Sequence, residues 1–151
     1  MTYVERAILY FDGASRNNPH GPAGCGFAIV EMDDNGADGR VIVEGYEYLG
    51  YNISNNQAEY YGLIKGLEYV RDELYLDCLY IRGDSEIVIN QLNGVYQVRS
   101  ERLIGLYHDT NRLLRNLNDY RLKHVARFRN WRSDYLANKA IDEEDDDIWY
   151  P

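Results

Sequence analysis

The sequence predicts one α/β domain in which helices pack against a mixed sheet, and three observations lead to this fold class. Its 151 residues match a single ordinary domain, and 45% of them are apolar, which is enough for a core. Three apolar runs separated by turn residues open the chain and predict an antiparallel meander. Helical patterns then alternate with two further strand-like runs. We therefore expect a five-stranded mixed sheet, with three antiparallel strands and then parallel ones, flanked by helices.

The first half of the chain contains the predicted meander and the first long helix. The three strand segments read AILYFDG, CGFAIVEM and RVIVEGYEYLGY, separated by the loop ASRNNPHGPAG and the turn DDNGADG. A helix is predicted from about Asn56 to Leu74, because apolar residues recur there every three or four positions. Gly62 and Gly66 weaken this helix, so we expect that they allow close packing against a neighbouring element.

The second half predicts two strands and three helices. CLYIRGD is typical of a fourth strand, and SEIVINQLNG of a short helix closed by Gly94. A helix follows over about 100–117, then a fifth strand with the sequence YRLKHVARF. The last helix, SDYLANKAID, is expected to begin through Ser133 or Asp134, which are both good N-cap residues.

Charge is unevenly distributed along the chain. The formal net charge is −9, which by itself disfavours nucleic acid as a partner. Ten basic residues stand against four acidic ones from Arg99 to Lys139, however, and arginine suits bidentate phosphate contacts. Six acids, DEEDDD, follow from Asp142. We expect a domain of residues 1–141 and a solvated, disordered acidic tail of residues 142–151.

The remaining composition predicts a cytoplasmic protein with no membrane partner. No apolar run approaches the roughly 20 residues that span a membrane, and the N-terminus lacks the pattern of a secretory signal. Cys25 and Cys78 provide neither a disulfide framework nor metal-ligand spacing, so we expect two reduced thiols. A monomer is the default expectation.

Four carboxylates stand at predicted element boundaries: Asp12, Glu59, Asp84 and Asp134. Each has an ordinary structural explanation, since Asp-Gly forms turns and acids at helix starts cap the helix or complement its dipole. Together they point to chemistry, because strand ends and helix starts can converge at one edge of a sheet. Clustered carboxylates repel each other strongly unless divalent cations neutralise them, and magnesium prefers such oxygen ligands. The pattern therefore raises the hypothesis of a metal-dependent nuclease.

Four motifs, in order, resemble type 1 ribonuclease H over roughly residues 7 to 141. They are YFDGASRNNPHGPAGCGFAIV, NISNNQAEYYGLIKGLEYV, IRGDSEIVINQLNGVYQV and HVARFRNWRSDYLANKA. The short link GVYQVRSER resembles the compact archaeal and bacterial variant that lacks a basic protrusion. The resemblance implies a ribonuclease H-like fold. It also implies endonucleolytic hydrolysis of the RNA strand of RNA–DNA hybrids, leaving 5′-phosphate and 3′-hydroxyl ends.

The resemblance also implies an Asp-Glu-Asp-Asp site for two Mg²⁺ (or Mn²⁺) ions. Asp12 would bridge both ions, and Asp84 and Glu59 would hold the ion near the attacking water. Glu59 would also lie near a substrate 2′-hydroxyl. Asp134 would bind the ion near the leaving oxygen.

An amide-rich segment precedes Glu59 and is the expected substrate contact. Amides both donate and accept hydrogen bonds, which suits the 2′-hydroxyls and base edges of a shallow minor groove. By resemblance, the hybrid would contact this segment, the first loop and the third motif through Gly13, Ser15, Asn17, Asn18, Asn55, Asn56, Gln57 and Ser85. We also expect Asn55 or Asn56 to cap the helix, and Ser54 to lie near a DNA-strand phosphate.

For three residues of the fourth motif, the resemblance implies alternative roles. Arg127 and Asn130 would approach the scissile phosphate or orient the last metal ligand. His124 resembles a histidine that assists product release in some relatives, yet it lies in a predicted strand and has a structural explanation. Arg127 is the alternative for that assistance.

Two other functions remain open from the sequence. One is a catalytically silent nucleic-acid-binding domain of the same fold, which retention of all four carboxylates disfavours. The other is a related nuclease that acts on DNA, which the amide-rich segment NISNNQAE disfavours.

Overall fold

The computed structural model describes residues 1–149, which form a mixed sheet of six strands with helices on both faces. The strands are β1 (Thr2–Ser15), β2 (Ala23–Met32), β3 (Asp38–Gly50), β4 (Leu74–Gly83), β5 (Tyr120–His124) and β6 (Asp147–Trp149). The helices are α1 (Asn55–Glu73), α2 (Glu86–Leu92), α3 (Glu101–Arg115) and α4 (Trp131–Glu143), preceded by a 3₁₀ turn over Arg127–Asn130. The strands lie in the order β5-β4-β1-β2-β3-β6.

Strand β1 lies inside the sheet and organises it. It pairs antiparallel with β2 and parallel with β4, while β2–β3 is antiparallel and β4–β5 is parallel. This arrangement confirms the predicted meander followed by parallel strands. Tyr10 of β1 lies opposite Arg82 of β4, so Asp12, near the end of β1, is brought level with Asp84, which follows β4.

Alternate residues of β1 face two different hydrophobic layers. Leu9 and Phe11 belong to the large core that includes Leu63 of α1, whereas Ile8 and Tyr10 belong to a smaller cluster on the opposite face. Side chains alternate along a strand, so Asp12 shares the face of Tyr10. Helix α4 packs on that same side of the sheet, with its own contacts to β2 and β3.

The sixth strand corrects two predictions. Residues Asp147–Trp149 pair antiparallel with β3, with Ile148 opposite Gly45, so the predicted count of five strands is wrong by one. The described part of the expected tail is therefore partly ordered rather than solvated throughout, while residues 150–151 lie outside the described residues. The run of acidic residues predicted a disordered tail, so the short strand at its end was not predicted. This strand pairs with the free edge of β3, where unpaired backbone groups are available.

The last two elements begin and end differently from the prediction. Strand β5 ends at His124 instead of continuing through the 3₁₀ turn, although the Val125 N–H still donates to the Gly83 carbonyl at 2.9 Å. Helix α4 begins at Trp131, two residues before Ser133. Ser133 is buried and its hydroxyl hydrogen-bonds Asn130, so it does not act as the expected N-cap.

No helix among residues 1–149 has the length and apolar character needed to cross a membrane.

Candidate active site

Three of the four predicted carboxylates converge at the sheet edge where β1 and β4 end. Asp12 lies near the end of β1, Asp84 follows β4, and Glu59 projects from the first turns of α1. One carboxylate oxygen from each lies within 4.8 Å of the others. Parallel pairing of β1 with β4 explains the meeting of the two aspartates, and packing of α1 on β1 adds the glutamate.

Two glycines allow α1 to lie directly against β1. A Cβ atom on Gly62 would stand 2.6 Å from the Asp12 carbonyl oxygen, and one on Gly13 would stand 2.2 Å from the Ala58 carbonyl carbon. Both distances are far below van der Waals contact, so only glycine fits at either position without a backbone shift. The close packing predicted for Gly62 is confirmed, and it places Glu59 beside Asp12.

Burial and mutual repulsion oppose full ionisation of the cluster. Asp12 is 4% exposed and Glu59 8% exposed. Burial raises the pKa of Asp12 to about 7, the Glu59 side chain and the Gly13 N–H oppose this rise, and the charges of Asp84 and Asp134 add to it. Burial, followed by the charge of Asp12, raises the pKa of Glu59 well above its usual range. Such a cluster stores an electrostatic cost that a cation would relieve.

The cluster has the donors that a divalent cation requires. Glu59 Oε2 is buried and has no hydrogen-bond partner within residues 1–149. Buried polar atoms are rarely left unsatisfied, and this one lies among carboxylate oxygens, which are the ligands preferred by hard cations. The residues present therefore fit a metal site.

Asp134 lies outside this cluster, although it lines the same cleft. It stands in the first turn of α4, and its half-exposed side chain lies 4.0 Å from the Arg127 guanidinium. Asn138, one helical turn further on, donates to the Asp134 carbonyl oxygen at 3.0 Å. The structure thus brings one carboxylate oxygen from each of three predicted ligands within 4.8 Å of the others and leaves the fourth outside this cluster, in the lining of the cleft.

Asn130 is a buried support and not an exposed contact. It is 1% exposed, and its Nδ2 donates to the Phe11 carbonyl at 2.8 Å and approaches Asp84 Oδ1 at 3.4 Å. The Ser133 hydroxyl donates to Asn130 Oδ1 at 2.6 Å. Burial of Asn130 disfavours the expected approach to a phosphate, and the carboxylate that it contacts is Asp84 rather than the last expected ligand, Asp134.

The carboxylates open into a cleft of about 590 Å³. Six of the other predicted site residues line it: Gly13, Ser15, Asn55, Ser85, His124 and Arg127. The Ser85 hydroxyl also caps α2 by accepting from the Val88 N–H at 3.2 Å. The cleft therefore contains both groups predicted to assist product release, His124 and Arg127.

The amide-rich segment is organised by a cap that differs from the prediction. Ser54, and neither Asn55 nor Asn56, is the N-cap of α1, and it forms a capping box with Gln57. The Gln57 Oε1 accepts from the Ser54 N–H at 2.9 Å and from Arg102 at 2.9 Å. The expectation that an asparagine caps this helix is wrong, because a serine hydroxyl reaches the N3 amide directly.

The asparagines of the two loops are linked to each other. Asn55 Oδ1 accepts from the Ser15 N–H at 2.8 Å, and Asn18 Oδ1 accepts from the Asn55 N–H at 3.0 Å. Within residues 1–149, the side chains of Asn17 and Asn56 have no hydrogen-bond partner, which leaves their amides available. Ser15 is itself buried, and its hydroxyl donates to the Ile53 carbonyl.

Comparison with known proteins identifies the family. The reverse transcriptase-like family matches residues 10–140. Ribonuclease HI of Halobacterium salinarum is 40% identical over 138 residues, covering 91% of this chain. The crystal structure of RNase H1 from Halobacterium salinarum NRC-1 superposes with a TM-score of 0.82 at 40% identity, covering 91% of this chain and 98% of that one. This chain belongs to the type 1 ribonuclease H family.

A second solved ribonuclease H1 is similar to this chain and was crystallised with nucleic acid. LC11-RNase H1 in complex with an RNA/DNA hybrid superposes with a TM-score of 0.81 at 34% identity, covering 91% of this chain and 98% of that one. A bifunctional protein of Mycobacterium tuberculosis is 35% identical over 139 residues. The chain spans 65% of the length of the Halobacterium ribonuclease HI and 36% of the mycobacterial protein.

Ribonuclease H enzymes depend on metal ions, and the acidic cluster is where this member of the family would bind them.

The sequence did not predict three residues that lie around the acidic cluster. Asn138 and Arg16 line the cleft, and Arg102 supports Gln57 from α3. Asn138 could have been found from its position four residues after Asp134, which places both on one helix face. Arg102 lies 45 residues from Gln57, and nothing local in the sequence signals that contact.

Proposed function

We propose that this chain is an endonuclease that hydrolyses the RNA strand of RNA–DNA hybrids and leaves 5′-phosphate and 3′-hydroxyl ends. The observation that carries the proposal is the convergence of Asp12, Glu59 and Asp84 in the lining of a cleft that amides border. Family membership and the relative crystallised with an RNA/DNA hybrid support the substrate. We assign the activity to residues 1–141, followed by the acidic segment of residues 142–151.

The proposed cofactor is Mg²⁺ or Mn²⁺, with two ions bound in the presence of substrate. Such ions acidify water and neutralise the charge that develops on a phosphate. Asp12, Glu59 and Asp84 would hold them, and the unpartnered Glu59 Oε2 supplies a free ligand atom. Asp134, which lines the same cleft, is the proposed fourth ligand.

The amide side chains near Glu59 and in the first loop position the substrate. The free amides of Asn17 and Asn56 suit 2′-hydroxyls and base edges, which distinguish an RNA strand from DNA. We propose that Asn18, Asn55 and Gln57 complete this surface, with Ser54 near a DNA-strand phosphate.

Groups around the cleft are proposed to handle the reacting phosphate. Gly13, Ser15 and Ser85 line the cleft beside the carboxylates. The Arg127 side chain is largely exposed in the cleft, where it can contact the scissile phosphate or assist product release. His124, which lines the same cleft, is the second candidate for assisting product release.

The proposal includes a monomeric, cytoplasmic protein. Both cysteines, Cys25 and Cys78, are free thiols, which suits a reducing compartment.

The test compares cleavage of RNA–DNA hybrid, duplex DNA and duplex RNA, with and without Mg²⁺. Only the hybrid should be cut, and only with metal. Asp12→Asn should abolish cutting while circular dichroism stays unchanged, and the exposed control Asp72→Asn at the far end of α1 should cut normally. Equal cleavage of duplex DNA would remove the specificity. Hybrid binding without cleavage in either Mg²⁺ or Mn²⁺ would instead favour a silent binding domain.

A further inference from the structure

A second cleft of about 540 Å³ lies beside the catalytic one on the same face of the sheet. The same two strands contribute to both clefts. On β1, Asp12 lines the catalytic cleft and Tyr10 lines the second cleft. At the end of β4, Asp84 lines the catalytic cleft and Arg82 lines the second cleft. Residues two apart on a strand are about 6.6 Å apart, close to the rise of two nucleotides in one strand. The second cleft is therefore within one or two nucleotides of the carboxylates.

The segment from β5 to α4 forms the ridge between the two clefts. His124 and Arg127 line the catalytic side, whereas Lys123, Phe128 and Arg129 line the second cleft. A strand that leaves the carboxylates over this ridge enters the second cleft directly.

Two large aromatic side chains stand exposed at this cleft. Phe128 is 73% exposed and Trp131 is 60% exposed, although both lie within two positions of the buried Asn130. Arginine side chains lie against each ring, with the Arg129 guanidinium 5.6 Å from the Phe128 ring centre and Arg132 4.8 Å from that of Trp131. Exposed aromatic faces flanked by cations are the elements on which unpaired bases stack.

The charge of the cleft is opposite to that of the chain. The formal net charge is −9, yet the cleft contains three cations, Arg82, Lys123 and Arg129, none of which forms an ion pair with a residue in 1–149. The one carboxylate lining it, Asp38, accepts a hydrogen bond from the Tyr10 hydroxyl at 2.6 Å. A locally cationic, aromatic cleft complements an anionic ligand that has π faces.

We propose that this second cleft, the aromatic–cationic cleft, binds single-stranded nucleic acid. Bases stack on Phe128 and Trp131, while Arg82, Lys123 and Arg129 contact the phosphates. The ligand is an unpaired extension of a strand held at the catalytic cleft, so binding tolerates many sequences. The inference rests on the proposed function only for the choice of nucleic acid as the ligand.

The direct test measures binding of a fluorescent six-nucleotide oligothymidine and an oligouridine to the metal-free protein. The variant Phe128→Ser/Trp131→Ser should weaken binding of both by at least fivefold, the lower bound for loss of one stacked base. The control Tyr75→Ser, which removes another exposed aromatic residue far from the cleft, should bind as the wild type does. The logarithm of the binding constant should fall with the logarithm of salt concentration with a slope of about −2, as for three phosphates on a single strand. Lys123→Gln should reduce that slope by about 0.7.

A second measurement separates this inference from the proposed function. The double variant and the wild type should cleave a blunt hybrid equally well. For a hybrid with single-stranded extensions, the double variant should have a lower affinity than the wild type. Absence of oligonucleotide binding by the wild type, or equal binding by the double variant, would overturn the inference even if hybrids are cut. Concentration-dependent dimerisation that the double variant abolishes, without oligonucleotide binding, would assign the cleft to a second copy of the chain. Oligonucleotide binding without hybrid cleavage would retain the inference and reject the proposed function.

Discussion

Asn130 donates a hydrogen bond to the carbonyl oxygen of Phe11, the residue that precedes Asp12, and so joins the start of α4 to the catalytic strand. The same amide approaches Asp84, and its oxygen accepts from Ser133. One buried side chain therefore connects the end of β1, the end of β4 and the first turn of α4. These elements carry three of the four predicted carboxylates.

Replacing this amide tests its supporting role. Asn130→Ala leaves the Phe11 carbonyl without its buried donor, so unfolding free energy should fall by about 1–3 kcal/mol and the cleavage rate should fall with it. Urea denaturation and kcat measured at saturating hybrid check the two effects. Asn116→Ala, at an exposed position after α3, should change neither. A normal kcat with a raised KM would indicate instead that Asn130 contacts substrate.

A methyl group at Gly62 should separate the helix from the strand. Gly62→Ala would place its Cβ 2.6 Å from the Asp12 carbonyl oxygen, so α1 must move away from β1 and take Glu59 with it. We expect destabilisation by about 1–3 kcal/mol and loss of most activity. The matched control is Gly105→Ala in α3, where nothing lies within 4 Å of the new methyl group. That substitution should be neutral or stabilise by up to about 1 kcal/mol, because alanine favours helix. Equal effects of the two changes would contradict the close-packing explanation.

Metal-free protein should lose stability as pH rises through neutrality. The pKa of Asp12 is raised from 3.8 to about 7 in the folded state, so the folded protein binds this proton more tightly than the unfolded chain. The resulting stabilisation is complete below pH 3.8 and is lost as the pH rises towards about 7, by up to about 1.4 kcal/mol per pH unit. Urea unfolding at several pH values between about 4.5 and 7 measures the slope.

Asp12→Asn is the control for this pH dependence. The variant removes the titrating group, so its stability should depend less on pH than that of the wild type. Added Mg²⁺ binds the ionised carboxylates, so it should stabilise the wild type more at pH 8 than at pH 5. Identical pH slopes for the two proteins would show that Asp12 does not hold the raised pKa.

The two serine caps offer a matched comparison at the substrate side. Ser54 accepts the Gln57 N–H at α1, whereas Ser100 precedes α3 without a side-chain capping bond. Ser54→Ala should cost about 1 kcal/mol of unfolding free energy, and Ser100→Ala only a few tenths. Thermal denaturation compares the two. A higher KM in Ser54→Ala alone would add support for the proposed contact with a DNA-strand phosphate, while an unchanged KM would limit Ser54 to capping.

The sequence by itself determined the α/β class, the order of the elements and the family. Periodicity and turn residues specify strands and helices locally, and four motifs in order identify type 1 ribonuclease H. It also singled out Asp12, Glu59, Asp84 and Asp134, because acids at strand ends and helix starts are visible along the chain. Local patterns could predict these residues because each motif, turn or helix start extends over only a few neighbouring positions.

The tertiary structure alone decided which of these residues meet. It placed three carboxylates within 4.8 Å and left Asp134 outside this cluster, in the lining of the cleft. It also turned Asn130 inward, made Ser54 the cap and paired Asp147–Trp149 with β3. These outcomes depend on the packing of elements that are distant in sequence, such as Gly62 against Asp12. The same packing sets burial, and burial is what raises the pKa of Asp12, so no local pattern could have predicted it.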